Sequence, residues 1–192
     1  MEKFDENTVK ALRFYYKHER TVGFIMQRVE EYPKQVSKFV ESAVSKYARD
    51  LEKDVDGQVY LRYYAKELDK IYKLKNRKDK LDEYSWTSSG RIVLFEYNRN
   101  SRNLNLVLGA GPKATRAHLF KLAKKHPSFN PKTPQKEAPS NWHRIYRKKI
   151  LSKCDYEIVD IENAKKKVEE AIQNFYKKDY WYLVNAIRES YE

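Results

Sequence analysis

From Val36 to Leu51 the apolar residues Val36, Phe39, Val40, Ala43, Val44, Tyr47 and Leu51 recur every three or four positions. That is the period of an α-helix with one buried face. A strand would need strict alternation, so this run calls for a helix and for a core to receive it. Val22, Ile25, Met26 and Val29 share a face in the same way, and Val9, Leu12 and Tyr16 extend the pattern backwards. Pro33 predicts an end to that first helix, because proline lacks an N–H and crowds the preceding turn. Asp56-Gly57 reads as a turn. Leu61, Tyr64, Ala65, Leu68 and Tyr72 predict a third helix, which runs into the charged stretch from Lys73 to Lys80. Residues 1–82 are therefore expected to be a helical array.

The pattern changes after Trp86. Arg91-Ile92-Val93-Leu94-Phe95-Glu96-Tyr97 is a short run of strand formers, Asn98 to Asn103 supply a turn, and Leu104 to Leu108 make a second run. Together they predict a β-hairpin over 91–108. Gly109-Ala110-Gly111-Pro112 leads into a helix reaching about Lys125, since proline suits a helix start. Four of the six prolines lie between 127 and 139 and predict a stiff connector. Asn141 is placed to cap a helix from Trp142 to about Leu151. Ile161, Ala164, Val168, Ala171, Ile172 and Phe175 open a long last helix, continued less regularly by Leu183, Val184 and Ile187. The expected fold is α+β and mainly helical, with a helical N-terminal array, one central β-hairpin, basic helices and a long C-terminal helix. Residues 83–192 would be a second region or would continue the same domain.

With 192 residues the chain can bury a substantial core. Its single cysteine, Cys154, can close no disulfide within the chain and cannot build a thiol zinc cluster. The N-terminus is charged, and no apolar run approaches the length of a membrane span. These features suit a cytoplasmic protein in a reducing compartment, with no membrane partner and no cofactor.

The net charge of +13 is not spread evenly. Residues 91–150 hold 14 basic and 2 acidic side chains, net +12, whereas 1–90 carry +3 and 151–192 carry −2. Ordinary solvated surfaces mix the two signs, so such a block asks for a polyanion, nucleic acid above all. Within it, the 112–125 helix sets Leu119, Leu122 and Ala123 on one face and Lys113, Lys121, Lys124 and Lys125 opposite, with Arg116 at the border. The 142–151 helix sets Trp142, Ile145, Tyr146 and Ile150 against Arg144, Arg147 and Lys148, with Lys149 beside the apolar face. Cationic backs of this kind suit tracking a phosphate backbone; two helices with solvated lysines are the plainer reading. Trp142 and Tyr146 ride the apolar stripe and are expected in the core. Gly109 and Gly111 could let a phosphate approach a helix N-terminus, or could simply serve a tight strand-to-helix turn.

Catalytic signatures are weak. The common metal-dependent nuclease pattern needs Glu, Asp or Gln two residues before Lys, and no such triplet occurs. The nearest approach is Glu96-Tyr97-Asn98 with Asp82 and Glu83 upstream, and Asn98 cannot supply the lysine charge. Arg13 and His18 have the Arg-x4-His spacing of the HEPN-type ribonucleases, a pattern that chance readily produces. The expectation is a non-enzymatic protein. A HEPN-like ribonuclease using Arg13 and His18, and a protein–protein module docking an acidic or nucleoprotein partner, are the alternatives.

One longer likeness stands out. Trp86-Thr87-Ser88-Ser89-Gly90-Arg91-Ile92-Val93-Leu94-Phe95-Glu96, then Leu108-Gly109-Ala110-Gly111-Pro112, then Trp142-His143-Arg144-Ile145-Tyr146 resemble a C-terminal accessory module of bacterial PD-(D/E)XK nuclease-superfamily proteins found near defence genes. The similarity spans about residues 84–156. In that family a strand pair, a Gly-Pro turn and a Trp-x-x-Ile-Tyr helix follow the nuclease core. Here the preceding part lacks the nuclease motif, so no catalytic residue carries over. The resemblance implies a nucleic-acid-handling module, RNA favoured over DNA, kept without catalysis. Such a protein suits a phage or mobile element opposing a bacterial defence nuclease, as an RNA-binding anti-CRISPR does.

Overall fold

The structure, a computed structural model, describes residues 5–75, 87–131, 142–152 and 161–192, with the backbone only at residues 55 and 56. It is α+β, and 57% of what is described is helical. Two compact units divide the chain, residues 1–35 and 36–192.

The first unit holds α1 (Glu6–Lys17) and the beginning of α2 (Glu19–Tyr47). Asp5 caps α1: its carboxylate accepts from the Thr8 backbone N–H at 2.9 Å and from the Thr8 hydroxyl at 2.7 Å. These bonds favour the charged form and hold the Asp5 carboxyl below the usual range. His18 ends the helix, its backbone N–H donating to the carbonyls of Phe14 and Tyr15. Contrary to expectation, Pro33 does not end the next helix and lies inside α2. Proline removes one N–H and one carbonyl contact. The eleven helical positions before Tyr32 and the buried stripe after Gln35 (Val36, Val40, Ala43, Val44) outweigh that loss.

The second unit is built on one antiparallel meander, in the order β1-β2-β3-β4-β5. Its strands are β1 (Leu51–Asp56), β2 (Tyr60–Ala65), β3 (Val93–Asn98), β4 (Asn103–Leu108) and β5 (His143–Lys149). The expected β3–β4 hairpin is present at the middle of the sheet. Its turn is tied by the Asn98 side chain, which accepts from the N–H groups of Asn100 and Ser101, and Arg102 takes the left-handed conformation with φ 54°.

Three expectations are corrected. Residues 61–72 are not a helix but β2, the single-turn α3 (Lys66–Asp69) and a 3₁₀ turn at Tyr72–Leu74. Leu61, Tyr63 and Ala65 are buried in alternation, so the period-two reading of Tyr-Leu-Arg-Tyr-Tyr-Ala wins over the period-four one. The stretch from Trp142 to Leu151 is also not a helix: it is β5, and the Trp-x-x-Ile-Tyr segment lies at and just before the strand. The register passes from Val107↔Arg144 to Leu106↔Tyr146, leaving Ile145 as a bulge. The bulge turns two consecutive residues inward, and Ile145 and Tyr146 are both buried, which copies helical spacing. Finally, a division at 82/83 separates nothing, because β2 pairs with β3 across it. The proposed cap Asn141 and the prolines at 134 and 139 lie outside the described residues, as do Asp82, Glu83 and Cys154.

Register assigns the two faces of the sheet. On the first lie Leu61, Tyr63, Phe95, Tyr97, Leu104, Leu106 and Tyr146. This face is covered by α5 (Ile161–Phe175) and, after a π-helical turn at Tyr176–Tyr180, by α6 (Trp181–Glu189). Phe95 meets Phe175 edge-on at 5.5 Å between ring centroids and Tyr180 at 5.8 Å. The π turn adds one residue between turns, so Tyr180 rather than Asp179 follows Phe175 into the core. That phase shift explains the irregularity of the long last helix. On the second face lie Tyr60, Arg62, Tyr64, Leu94, Glu96, Asn98, Asn103, Asn105, Val107, Arg144, Arg147 and Lys149.

Candidate nucleic-acid interface

The helix expected after Gly111 is α4 (Lys113–Lys125), with Pro112 at its cap position. Leu119, Phe120 and Ala123 are buried, and Lys113, Lys121, Lys124 and Lys125 are exposed on the other side, as the periodicity predicts. The Lys124 ammonium lies 4.6 Å from the Phe120 ring centroid. Arg116 is different. It is 3% exposed and its guanidinium donates to the Leu108 carbonyl at 3.4 Å, so it belongs to the packing between α4 and the sheet. Burial lowers its pKa from the usual arginine range. Arg116 is thus corrected from a phosphate contact to an internal one.

The glycine turn is also internal. Gly109 and Gly111 are buried, and the Gly109 N–H donates to the Ile92 carbonyl at 2.7 Å. That donor is committed to closing the end of the sheet, not to a phosphate.

On β5 the basic residues separate by face. Arg144, Arg147 and Lys149 stand opposite Val107, Asn105 and Asn103 on the second face. Arg147 and Lys149 are exposed; Arg144 is half-buried, and burial with the nearby Arg147 charge lowers its pKa. Lys148 faces the other way and is bound to Asp179 at 2.9 Å, so it is already neutralised. The edge of β5 is held by Asn130, whose amide donates to the Arg147 carbonyl at 3.0 Å while its carbonyl oxygen accepts the Arg147 N–H at 2.5 Å. The expected connector is therefore ordered as far as this clamp.

The helix α4 packs on the first-face side, where Phe120 meets His143 edge-on at 4.9 Å and His143 stands opposite Leu108. The α4 lysines and the β5 cations consequently form two strips on opposite sides of the β5 edge. Trp142 adjoins the second strip. It was expected in the core, but it is 41% exposed.

Sequence reasoning missed the polar centre of the second face. Glu96 is fully buried and accepts from Arg62 Nε at 3.0 Å, while its Oε1 and the Oδ1 of the facing Asn105 have no hydrogen-bond partner. Burial pushes the Glu96 carboxyl up, against the opposing pull of Arg62. Nearby, Arg91 stacks 3.7 Å from the Tyr64 ring centroid and bridges Asp54 at 2.5 Å and Asp69 at 2.7 Å. The alternation Tyr60, Arg62, Tyr64 was the available signal.

The remaining candidates are dispersed. Arg13 and His18 are both exposed, and His18 stacks on Phe14 at 4.7 Å between centroids. His118 contacts Ser190 and Tyr191, and His126 contacts Phe129. Among the described residues no three His, Cys, Asp or Glu side chains gather as a metal site, and no helix is long and apolar enough to cross a membrane. No family model, curated protein or solved structure matches the chain.

Proposed function

We propose that this is a non-enzymatic nucleic-acid-binding protein that takes RNA in preference to DNA and grips phosphates along the β5 edge. The observation carrying this reading is a set of cations with nothing to neutralise them. Lys113, Lys121 and Lys125 on α4, and Arg147 and Lys149 on β5, are exposed and meet no acidic side chain among the described residues. Elsewhere cations find partners, as Lys53 does in Glu41, Lys66 in Glu52 and Arg91 in two aspartates. Keeping five like charges exposed and close costs self-repulsion, which a polyanion relieves.

The preference for RNA is supported by Trp142. An exposed indole beside a basic strip offers a stacking surface to an unpaired base, and single-stranded segments are the usual targets of RNA readers. Cations on β5 also have a plainer effect, since a charged edge strand resists pairing with other sheets. That effect needs no cations on α4.

The test is fluorescence anisotropy against single-stranded RNA, structured RNA and duplex DNA, each over a range of salt. Binding should be tightest to RNA and should weaken steeply with salt. Reversing Lys121, Lys124 and Lys125 to Glu should flatten the slope of log K against log salt by about 2, from roughly 0.7 per lost contact on a single strand. The helical circular-dichroism signal should not change. Weak binding to all three at low salt, or an unaltered slope, would refute the reading and turn attention to an acidic protein partner.

A further inference from the structure

The first unit carries an apolar surface that its own fold leaves uncovered. No residue of α1 is buried, and Leu12, Tyr16, Ile25, Met26 and Val29 are between 38% and 71% exposed. At 100° per residue Val22, Ile25, Met26 and Val29 fall within one stripe of α2. Farther along the same helix that stripe continues as Val36, Val40, Ala43 and Val44, which are buried. Half of one continuous apolar stripe therefore has its cover and half does not. A helix without tertiary contacts is marginal in water, and a contiguous exposed apolar patch marks an interaction site.

We infer that the cover is a second copy of this chain, docked through the exposed stripe of α1 and α2 about a two-fold axis. The spacing of the stripe is palindromic: steps of three, one and three residues join Val22, Ile25, Met26 and Val29. An antiparallel pairing centred between Ile25 and Met26 sets Val22 against Val29 of the second copy, and Ile25 against Met26. Such self-complementarity is what an isologous interface requires.

Charge selects the same occupant. Residues 5–35 carry six basic and five acidic side chains, unlike the +12 of residues 91–150. A nearly neutral surface does not attract a polyanion and does not repel its own copy. Area agrees as well. The five exposed stripe residues present roughly 500 Å² per copy, so a pair buries about 1,000 Å² before its polar flanks are counted, the size at which specific interfaces begin. Gly23 borders the stripe, and nothing lies within 4 Å of where its Cβ would be, so a facing helix can approach closely there.

The experiment is light scattering behind gel filtration on the whole chain, treated with nuclease, at micromolar and tens-of-micromolar concentrations and in high salt. The expected mass is twice 23.1 kDa, undiminished by salt. Ile25→Glu and Met26→Lys should each raise the dissociation constant at least about a hundredfold by burying an unpaired charge. Mixing the two variants should restore dimers, because the two-fold sets the new Glu against the new Lys. Both residues are exposed in the single chain, so the thermal transition of each monomeric variant checks that folding is intact. A monomeric wild type, dimers that survive both substitutions, a mixture that fails to associate, or a monomer that binds lipid vesicles through this face would overturn the inference.

Discussion

Arg62→Met tests the polar centre of the sheet. The Glu96 side chain is 1% exposed and that of Arg62 is 17% exposed, so water has little access to either. Methionine keeps most of the aliphatic stem but leaves the carboxylate unmatched. Removing one member of a buried pair costs about 3–5 kcal/mol. For a chain of this length each kcal/mol moves Tm by roughly 2–4 °C, so a fall of about 10 °C is expected. The pH dependence has a definite sign. Burial raises the Glu96 carboxyl in the folded state, so folding binds its proton more tightly than the unfolded chain does. The stabilising effect of that proton is complete below the unfolded pKa and is lost as pH rises through the folded one. Without Arg62 the folded pKa climbs further, so the defect should be largest near neutrality and should shrink on mild acidification. Adding Glu96→Gln removes the stranded charge and should recover much of the loss. Thermal unfolding followed by circular dichroism at neutral and mildly acidic pH measures all of this. A loss below about 1 kcal/mol at neutral pH, or a double variant no more stable than Arg62→Met, would refute the reasoning.

Two further outcomes are expected. Arg116→Met should lower Tm, because the Leu108 carbonyl loses a buried donor at a cost of about 1–3 kcal/mol, yet change RNA affinity less than twofold; a large loss of affinity at unchanged Tm would return Arg116 to the binding surface. Asn130→Ala should release the Arg147 backbone, cost about 1–2 kcal/mol and speed amide exchange at residue 147, and undiminished protection there would show that the clamp is not what holds the edge.

Much of the fold was legible. The stripes of α2, α4 and α5 and the β3–β4 hairpin each follow from local periodicity, because each buries one face of a regular element. The failures share a cause. Tyr60–Ala65 fits both periods, and what decides is that Phe95 and Tyr97, more than thirty residues away, offer a strand to pair with. In β5 the bulge at Ile145 imitates a helical face, and a bulge is visible only once β4 supplies the register. The π turn likewise appears in the sequence as a lapse of pattern, and becomes a phase correction when Tyr180 is seen beside Phe95. For the candidate interface, periodicity found the exposed α4 lysines, but it could not tell that Arg116 is internal or that Lys148 is spent on Asp179.

By itself the sequence determined where the positive charge is concentrated, that the common metal-nuclease triplet does not occur, and which segments have an apolar side to bury. These are properties of composition and near-neighbour spacing, and folding does not alter them. The tertiary structure decided which cations remain free, on which side of the sheet each stands, and that Glu96 is buried beside Arg62. Those outcomes depend on pairs such as Lys148 with Asp179 and Arg62 with Glu96, separated by 31 and 34 positions. Charges so far apart in the chain meet through strand register and helix packing, which local spacing does not encode.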